Sequence, residues 1–304
     1  MRILHISDIH LFCPQALSLH KVINKRLLGL INWYLKRRRT VSYRLLDLLV
    51  ASVSVLSPDV ICVTGDLVHL AQKREFELAS QWLSELESFS PIKLVPGNHD
   101  LYVPEAKSYL QKYFKRFFSI SHTIAMPNKA LDDFFPYVDI LENIALIGLS
   151  SAYTCSLSLA TGRIGQKQLK NLSYVLENTK DKGLLRIILI HHPPISGLVK
   201  KRKALLDVNH LKNVTDSKGT ELFLFGHTHK RFCHLREKPK DRTLFLCAPS
   251  VTSIKPGVME RAGFYLIDIK NTGSLQKADV SDFILADNEE SFVRQKRFDV
   301  FFRS

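Results

Sequence analysis

Five short apolar runs, each closing on a polar cluster, organise this chain. Leu4-His5-Ile6 leads to Asp8-Ile9-His10, Val60-Ile61-Cys62-Val63 to Gly65-Asp66, and Ile92-Lys93-Leu94-Val95 to Gly97-Asn98-His99-Asp100. Ile187-Ile188-Leu189-Ile190 leads to His191-His192, and Leu222-Phe223-Leu224-Phe225 to Gly226-His227-Thr228-His229. Apolar, β-branched runs of this length, bounded by Gly, Pro or Asp, predict buried strands. Such strands hold the loops at their carboxyl ends rigidly, and open sheets carry their chemistry there. Gly65, Gly97 and Gly226 stand directly before the polar residues, where the lack of a Cβ permits a sharp turn.

Between these runs the spacing of apolar residues predicts helices at about 43–56, 71–89, 104–117, 165–178 and 201–213. Phe135–Leu141 with Ile144–Leu149 reads as a hairpin, as do Phe232–Leu235 with Thr243–Cys247 and Gly263–Ile269 with the residues after it. Beyond about Asp279 the pattern gives no clear element, so residues 1–270 are read as one domain and 271–304 as an extension. No internal repeat, low-complexity tract or Pro/Gly/Ser linker divides the chain.

Leu17 to Thr40 stands apart from this scheme. It carries Lys21, Lys25, Arg26, Lys36, Arg37, Arg38 and Arg39 and no acidic residue. At 100° per residue, Ile23, Leu27, Leu30, Ile31 and Tyr34 share one face, and Lys21, Lys25, Asn32, Lys36 and Arg39 the opposite one. A basic amphipathic helix with Trp33 and Tyr34 suits an anionic membrane interface. The alternative is an insertion whose apolar face caps the domain's own core. Gly29 weakens the helix by about 1 kcal/mol relative to Ala. The segment lies between the first polar cluster and the next helix, and is expected to overhang the cleft.

Composition narrows the class. The 304 residues are 45% hydrophobic, enough for one large domain, and the formal charge of +14 attracts phosphate-rich partners without naming one. No nucleic-acid-binding motif is present. Cys13, Cys62, Cys155, Cys233 and Cys247 form no C-x-x-C pair and read as reduced thiols, with Cys62 in a strand core. The start of the chain enters a strand without a signal-peptide apolar region, and no stretch of 18 apolar residues exists. The expectation is a cytoplasmic protein, with peripheral contact at the inner membrane face left open.

Taken singly, D-x-H or G-D is commonplace, and Asn-His-Asp can be an ordinary turn. The full set in order is specific. The chain resembles the calcineurin-like metallophosphoesterases over roughly residues 1–270, on D-x-H, G-D, G-N-H-D, H and G-H-x-H. Gly162-Arg163-Ile164-Gly165-Gln166 with Gln168-Leu169 also looks like that family's approach to the helix before the His191 strand. The resemblance implies an α/β fold, a four-layer α/β/β/α sandwich of two mixed sheets flanked by helices. It implies two metal ions: Asp8, His10 and His229 for the first, Asn98, His191 and His227 for the second, and Asp66 as the bridge.

Two ions about 3.5–4 Å apart can grip phosphate oxygens and lower the pKa of a shared water. Imidazole with carboxylate suits manganese first, with iron or zinc also compatible. By the same resemblance, His99 protonates the leaving oxygen and Asp100 orients its ring. His192 is a further supporting candidate, His69 a candidate at the cleft edge, and His5 and His234 strand residues. His20, His122 and His210 are expected at the surface.

The favoured substrate is a phosphodiester or pyrophosphate with an apolar portion. UDP-2,3-diacylglucosamine is the leading example, since Asn24–Gly29 and Arg37–Arg39 resemble an insertion in one bacterial branch containing such pyrophosphatases. That pathway's best-known group has Arg where this chain has His99, which implies a different branch. A soluble cyclic-nucleotide phosphodiesterase matches the same motifs, including His191-His192-Pro193-Pro194. A scaffold without catalysis is the third reading, although such relatives usually lose ligands.

Overall fold

The computed structural model describes residues 1–14, 25–118, 134–238, 242–272 and 275–303. In chain order its elements are β1 (Arg2–Ile6), α1 (Lys25–Leu35), α2 (Arg44–Leu56), β2 (Val60–Val63), α3 (Lys73–Glu87), β3 (Ile92–Leu94) and α4 (Ala106–Phe114). There follow β4 (Tyr137–Leu141), β5 (Ile144–Gly148), α5 (Gln166–Asp181), β6 (Leu185–Leu189), α6 (Val208–Lys218) and β7 (Leu222–Phe225). The chain closes with β8 (Phe232–Glu237), β9 (Arg242–Cys247), β10 (Gly263–Thr272), β11 (Leu275–Leu285) and β12 (Phe292–Arg303).

The strands form two mixed six-stranded sheets, ordered β12-β11-β10-β1-β2-β3 and β4-β5-β6-β7-β9-β8. Strand periodicity explains how they stack. Ile187 and Leu189 on β6 belong to the larger core with Ile6, Val63 and Leu94, whereas Ile188 and Ile190 join Leu172, Val175 and Leu176 of α5. A strand buried on both faces must be apolar at consecutive positions, which is what the continuous runs in the sequence encode. Each fully buried Leu, Ile or Phe contributes about 1.5–3 kcal/mol by leaving water.

All three expected hairpins form as antiparallel pairs: β4 with β5, β8 with β9, and β10 with β11. Four of the five expected helices lie where the spacing put them. The fifth is shifted: α6 begins at Val208, and residues 201–203 form a single 3-10 turn instead.

Residues 275–303 are not a loose extension. They form β11 and β12, which extend the first sheet beyond β10 and bury Ala278, Val280, Val300 and Phe302. Their registry depends on long cross-strand pairing with a bulge between Asp282 and Phe283, so the local pattern was weak.

The five cysteines are all free, and Cys62 is core. Among the described residues no helix is long and apolar enough to cross a membrane.

α1 docks neither by the apolar stripe its pattern favoured for core capping nor by the face opposite it, but by the flank that carries Arg26, Gly29, Leu30 and Trp33. Lys25, Arg26 and Gly29 are buried, while Leu27 (44%), Leu28 (47%), Ile31 (45%), Tyr34 (47%) and Leu35 (70%) are exposed. Lys25, expected on the solvent face, donates from Nζ to the Leu159 carbonyl at 2.9 Å. Arg26 donates to the carbonyls of Leu70 and Ala71 at 2.8 Å each and to Glu105 at 2.7 Å. Gly29 lies so close to Leu70 and Tyr102 that a Cβ would collide with the Leu70 side chain. Polar clips, one small residue and the packing of Leu30 and Trp33 against the core, Trp33 on the rings of Phe12 and Tyr43, therefore hold the helix. Ile23, Lys21 and the rest of 17–24 lie outside the described residues, as do His20 and His122.

Candidate metal centre

The seven expected ligands converge from loops at the carboxyl ends of β1, β2, β3, β6 and β7. The loops meet closely, both within the first sheet and between the sheets: a Cβ on Gly97 after β3 would strike Asp66 after β2, and one on Gly226 after β7 would strike Ser7 and Asp8 after β1. Backbone bonds then lock the loops together. Asp8 N–H donates to the Gly65 carbonyl at 3.0 Å, His10 N–H to the Asp66 carbonyl at 2.9 Å, and His227 N–H to Asp8 Oδ2 at 2.9 Å.

Asp8, His10, Asp66, His227 and His229 all have positive φ, between 52° and 69°. This conformation costs an L-residue roughly 1–2 kcal/mol. Five ligands accepting it mark a site whose geometry is imposed by the surrounding structure.

Two overlapping cradles result. Asp8, His10, Asp66 and His229 form one, and Asp66, His191 and His227 the other, with donor atoms in each within 4.8 Å of one another. Asp66 Oδ2 lies 3.6 Å from His10 Nε2 and 3.4 Å from His191 Nε2, so a single carboxylate oxygen faces both positions. Asn98 Oδ1 is 3.3 Å from His191 Nε2, which places it at the second cradle.

The donor set fits divalent ions. His10 Nε2 and His229 Nε2 face each other at 3.1 Å, and Asp8 Oδ1 beside them is buried without a hydrogen-bond donor. Two ring nitrogens converging beside an orphaned carboxylate oxygen make a donor set that a cation would satisfy.

The electrostatics agree. Burial drives His10, His227 and His229 well below their ordinary pKa, leaving neutral imidazoles able to ligate. Burial alone would raise Asp66, but His191, His99 and His10 outweigh it and keep the carboxylate ionised. His191 is the exception: burial pulls it down, yet Asp66 and Asp8 lift it to about 9, so a proton occupies it when no ion does.

His99 stands beside the first cradle, its ring 4.7 Å from that of His10. Burial lowers its pKa to about 4. Asp100 does not orient this ring, which corrects the expectation. Asp100 instead accepts from the backbone N–H groups of Asp66 (2.9 Å), Leu67 (2.9 Å), Val68 (3.2 Å) and Gly97 (2.8 Å), fixing the loop that carries the bridging residue. His99 Nδ1 donates to the His69 carbonyl at 2.6 Å, so a backbone oxygen aims the ring. His192 supports the second cradle. Its Nδ1 pairs with Ser151 Oγ at 2.8 Å, and its ring lies 4.5 Å from that of His227. His5 is a buried strand residue bonded to Thr64 and His234 lies on exposed β8, as expected.

Three residues take a larger part than their sequence context suggested. His69 is buried in the centre and receives Arg37 Nη1 at Nδ1, 3.3 Å away. Arg37 was grouped with Arg38 and Arg39 as an outward charge, but lines a cleft with His10, His229 and Lys203 while Arg38 and Arg39 stay exposed. Position 69, three after the bridging carboxylate, and the basic run Lys200–Lys203 were the available signals.

Fold and donor set together define a dimetal phosphoesterase. The model of the calcineurin-like phosphoesterase family matches residues 1–231, and the chain belongs to that family. It is a metal-dependent phosphoester hydrolase.

Among solved structures, a dimetal phosphatase from Danio rerio is 15% identical with a TM-score of 0.67, the alignment covering 99% of this chain and 98% of that one. A purple acid phosphatase from yellow lupin (Lupinus luteus) seeds is 11% identical with a TM-score of 0.60. That alignment covers 98% of this chain but 53% of the lupin chain. At such identities the likeness shows the shared fold. A search of curated protein sequences gives no match.

When bound, two ions hold phosphate oxygens and acidify a water. The chain's own residues do the rest. Asp66 faces both positions, Asp100 fixes the Asp66 loop, and His69 holds His99 through its carbonyl. With its Nδ1–H given to the His69 carbonyl and its pKa lowered by burial, the neutral His99 ring has a lone pair on Nε2, which must first take up a proton before it can give one to a departing oxygen.

Proposed function

We propose that this hydrolase cleaves a phosphodiester or pyrophosphate in a nucleotide-linked lipid at an anionic membrane surface, using manganese, with UDP-2,3-diacylglucosamine as the favoured substrate. The observation that carries the reading is the outward apolar face of α1. Leu27, Leu28, Ile31, Tyr34 and Leu35 are exposed on a helix whose C-terminal part, at Asn32, and the residues just after it, Lys36 and Arg37, line the metal cleft. A contiguous exposed apolar patch marks a binding surface. Arg38 and Arg39 at its border are exposed, with Arg38 lying 5.9 Å from the Tyr34 ring centre, which suits anionic headgroups beneath a shallowly inserted helix.

The test is co-sedimentation with anionic and neutral vesicles, paired with turnover of vesicle-borne UDP-2,3-diacylglucosamine, bis-p-nitrophenyl phosphate and cyclic AMP. Leu27→Ser/Leu28→Ser/Ile31→Ser should weaken vesicle binding and raise KM for the lipid substrate, and affect the water-soluble diester far less. Arg38→Gln/Arg39→Gln should cost about 1 kcal/mol per charge on anionic vesicles, fading at high salt. A wild-type protein that ignores anionic vesicles and cleaves cyclic AMP efficiently would replace this reading with the soluble cyclic-nucleotide phosphodiesterase.

A further inference from the structure

Among the described residues, buried cations are otherwise matched by carboxylates or, for Lys25, by the carbonyls of Cys155 and Leu159. Arg26 pairs with Glu105 at 2.7 Å, Lys93 with Asp139 at 2.5 Å, Arg231 with Asp282 at 3.0 Å, and Arg186 with Glu221. That is the usual rule, since an unpaired charge in a dry setting is costly. Arg37 and Lys203 break it. Neither has a carboxylate within 4.0 Å among the described residues, and both lie half-buried in the same cleft beside His10 and His229.

The two cations arrive separately. Arg37 comes from the 3-10 turn after α1, and Lys203 from the turn at Lys201–Lys203 that precedes α6. His69 holds the first: its Nδ1 accepts from Arg37 Nη1 at 3.3 Å, while its Nε2 sits 3.3 Å from the Gly29 carbonyl, to which it donates. Lys255, in the same cleft, is already matched by Glu260 at 3.3 Å. Burial, and then mutual repulsion with Arg37, lowers the Lys203 pKa. Two like charges held together beside a cradle for two more cations call for an anion with more than one charged group.

We propose that Arg37 and Lys203 form a subsite for a second phosphate, so that the cleft takes diphosphate diesters with one phosphate at the metal cradles and its neighbour between these two side chains. The proposal rests on the pyrophosphate reading above and sharpens it. A single phosphodiester carries one negative charge, which two metal ions already satisfy; a diphosphate diester carries one on each phosphate. In the reaction, water adds to the phosphorus at the cradles and the bridging P–O bond breaks. Its electron pair stays on the departing phosphate, and the water gives up a proton to solvent. Arg37, with its fork of donors, and Lys203 as a point charge then neutralise the growing charge on the departing phosphate.

The experiment uses the full chain loaded with manganese and measures inhibition of bis-p-nitrophenyl phosphate hydrolysis by UDP and by UMP. It also measures kcat/KM for UDP-glucose as a soluble diphosphate diester. Wild-type protein should bind UDP at least about tenfold more tightly than UMP. In Arg37→Met and in Lys203→Met that preference should collapse toward unity. In each variant kcat/KM for UDP-glucose should fall about 10- to 100-fold further than for bis-p-nitrophenyl phosphate, the range of a hydrogen bond to a charged group. Arg37→Lys should recover part of the preference.

Metal content of two per chain and an unchanged melting temperature certify each variant, and Lys203→Met, on a separate turn, stands in if Arg37→Met misfolds. An undiminished UDP preference in both variants, or equal losses on both substrates, overturns the subsite. If the wild type hydrolyses no diphosphate diester yet shows an Arg37-dependent UDP preference, the pyrophosphatase reading fails and the subsite stands.

Discussion

At the metal centre, polar side chains are buried inside an apolar scaffold; at α1, beside the same cleft, five apolar side chains face solvent while Lys25 and Arg26 are buried. Asp8, Asp66, His191 and His227 are almost fully enclosed, and each is answered by a partner or by the expected ion. Leu27, Leu28 and Ile31 are open, and Arg26 and Lys25 beneath them are bonded to backbone carbonyls of the domain. The first arrangement fixes atoms to a fraction of an ångström for chemistry. The second offers a greasy surface and uses its specific bonds to keep that surface in place. One region is thus closed by its own chain, and the other is left open to solvent.

The most damaging change should fall on the shared carboxylate. Asp66→Ala removes a donor from both cradles, and turnover should drop by about 10³-fold or more, as expected when metal charge stabilisation of several kcal/mol is lost. Metal analysis should show fewer than two ions per chain; a variant that still holds two removes Asp66 from the bridge. Chelation of the wild type should likewise abolish turnover, and added manganese should restore it.

His99→Ala should keep both ions and lose about 10²–10⁴-fold in kcat on esters with poor leaving groups. The loss should shrink for p-nitrophenyl esters, whose leaving group needs little protonation. A uniform loss would instead make His99 a phosphate-positioning residue.

Acid tests the closed region from another side. In metal-free protein, His5 and His192 are lowered to about 3 and His99 to about 4 by burial, and His10, His69, His227 and His229 fall well below the ordinary value. Groups with lowered imidazole pKa stabilise the fold above about 6.5, and that contribution disappears as pH falls toward the folded values. Asp8, Asp100 and Glu75, raised by burial to about 6, 7 and 7, oppose this but are outnumbered. His191, raised to about 9, stabilises below 6.5 and loses its effect as pH climbs through 9. Melting temperature of the chelated protein should therefore peak near neutrality and fall on both sides. Metal should remove the alkaline decline by replacing the His191 proton.

The smallest effects separate the two faces of α1. Gly29→Val pushes a branched side chain into Leu70 and Tyr102 and should cost about 1–3 kcal/mol in denaturant unfolding. Leu27→Ser and Ile31→Ser should each stay within about 0.5 kcal/mol. A reversed order would mean that the helix packs by its apolar face after all.

Much of this was legible in the chain. The strands of both sheets that carry the expected ligands are continuous apolar runs, so β1, β2, β3, β6 and β7 could be placed, and each ligand that the family resemblance implied lies just after one of them. The tail was not legible, because β11 alternates Ala278, Val280 and Asp282 inward and becomes a strand through its pairing with β10 and β12. The Asp100 contacts were not legible either: four backbone donors meet one carboxylate, and backbone donors leave no mark in side-chain identity.

What the sequence determined by itself is the donor set and the order of strands that deliver it, since side-chain chemistry and period-two burial are local properties. Tertiary structure decided which way α1 faces, which arginine of Arg37–Arg39 enters the cleft, and what orients His99. Each of these depends on a close approach between distant segments: Gly29 against Leu70, Arg37 against His69, and His99 against a carbonyl 30 residues away. Amphipathic spacing marks two faces of a helix, but which face turns inward is decided by the surface it meets.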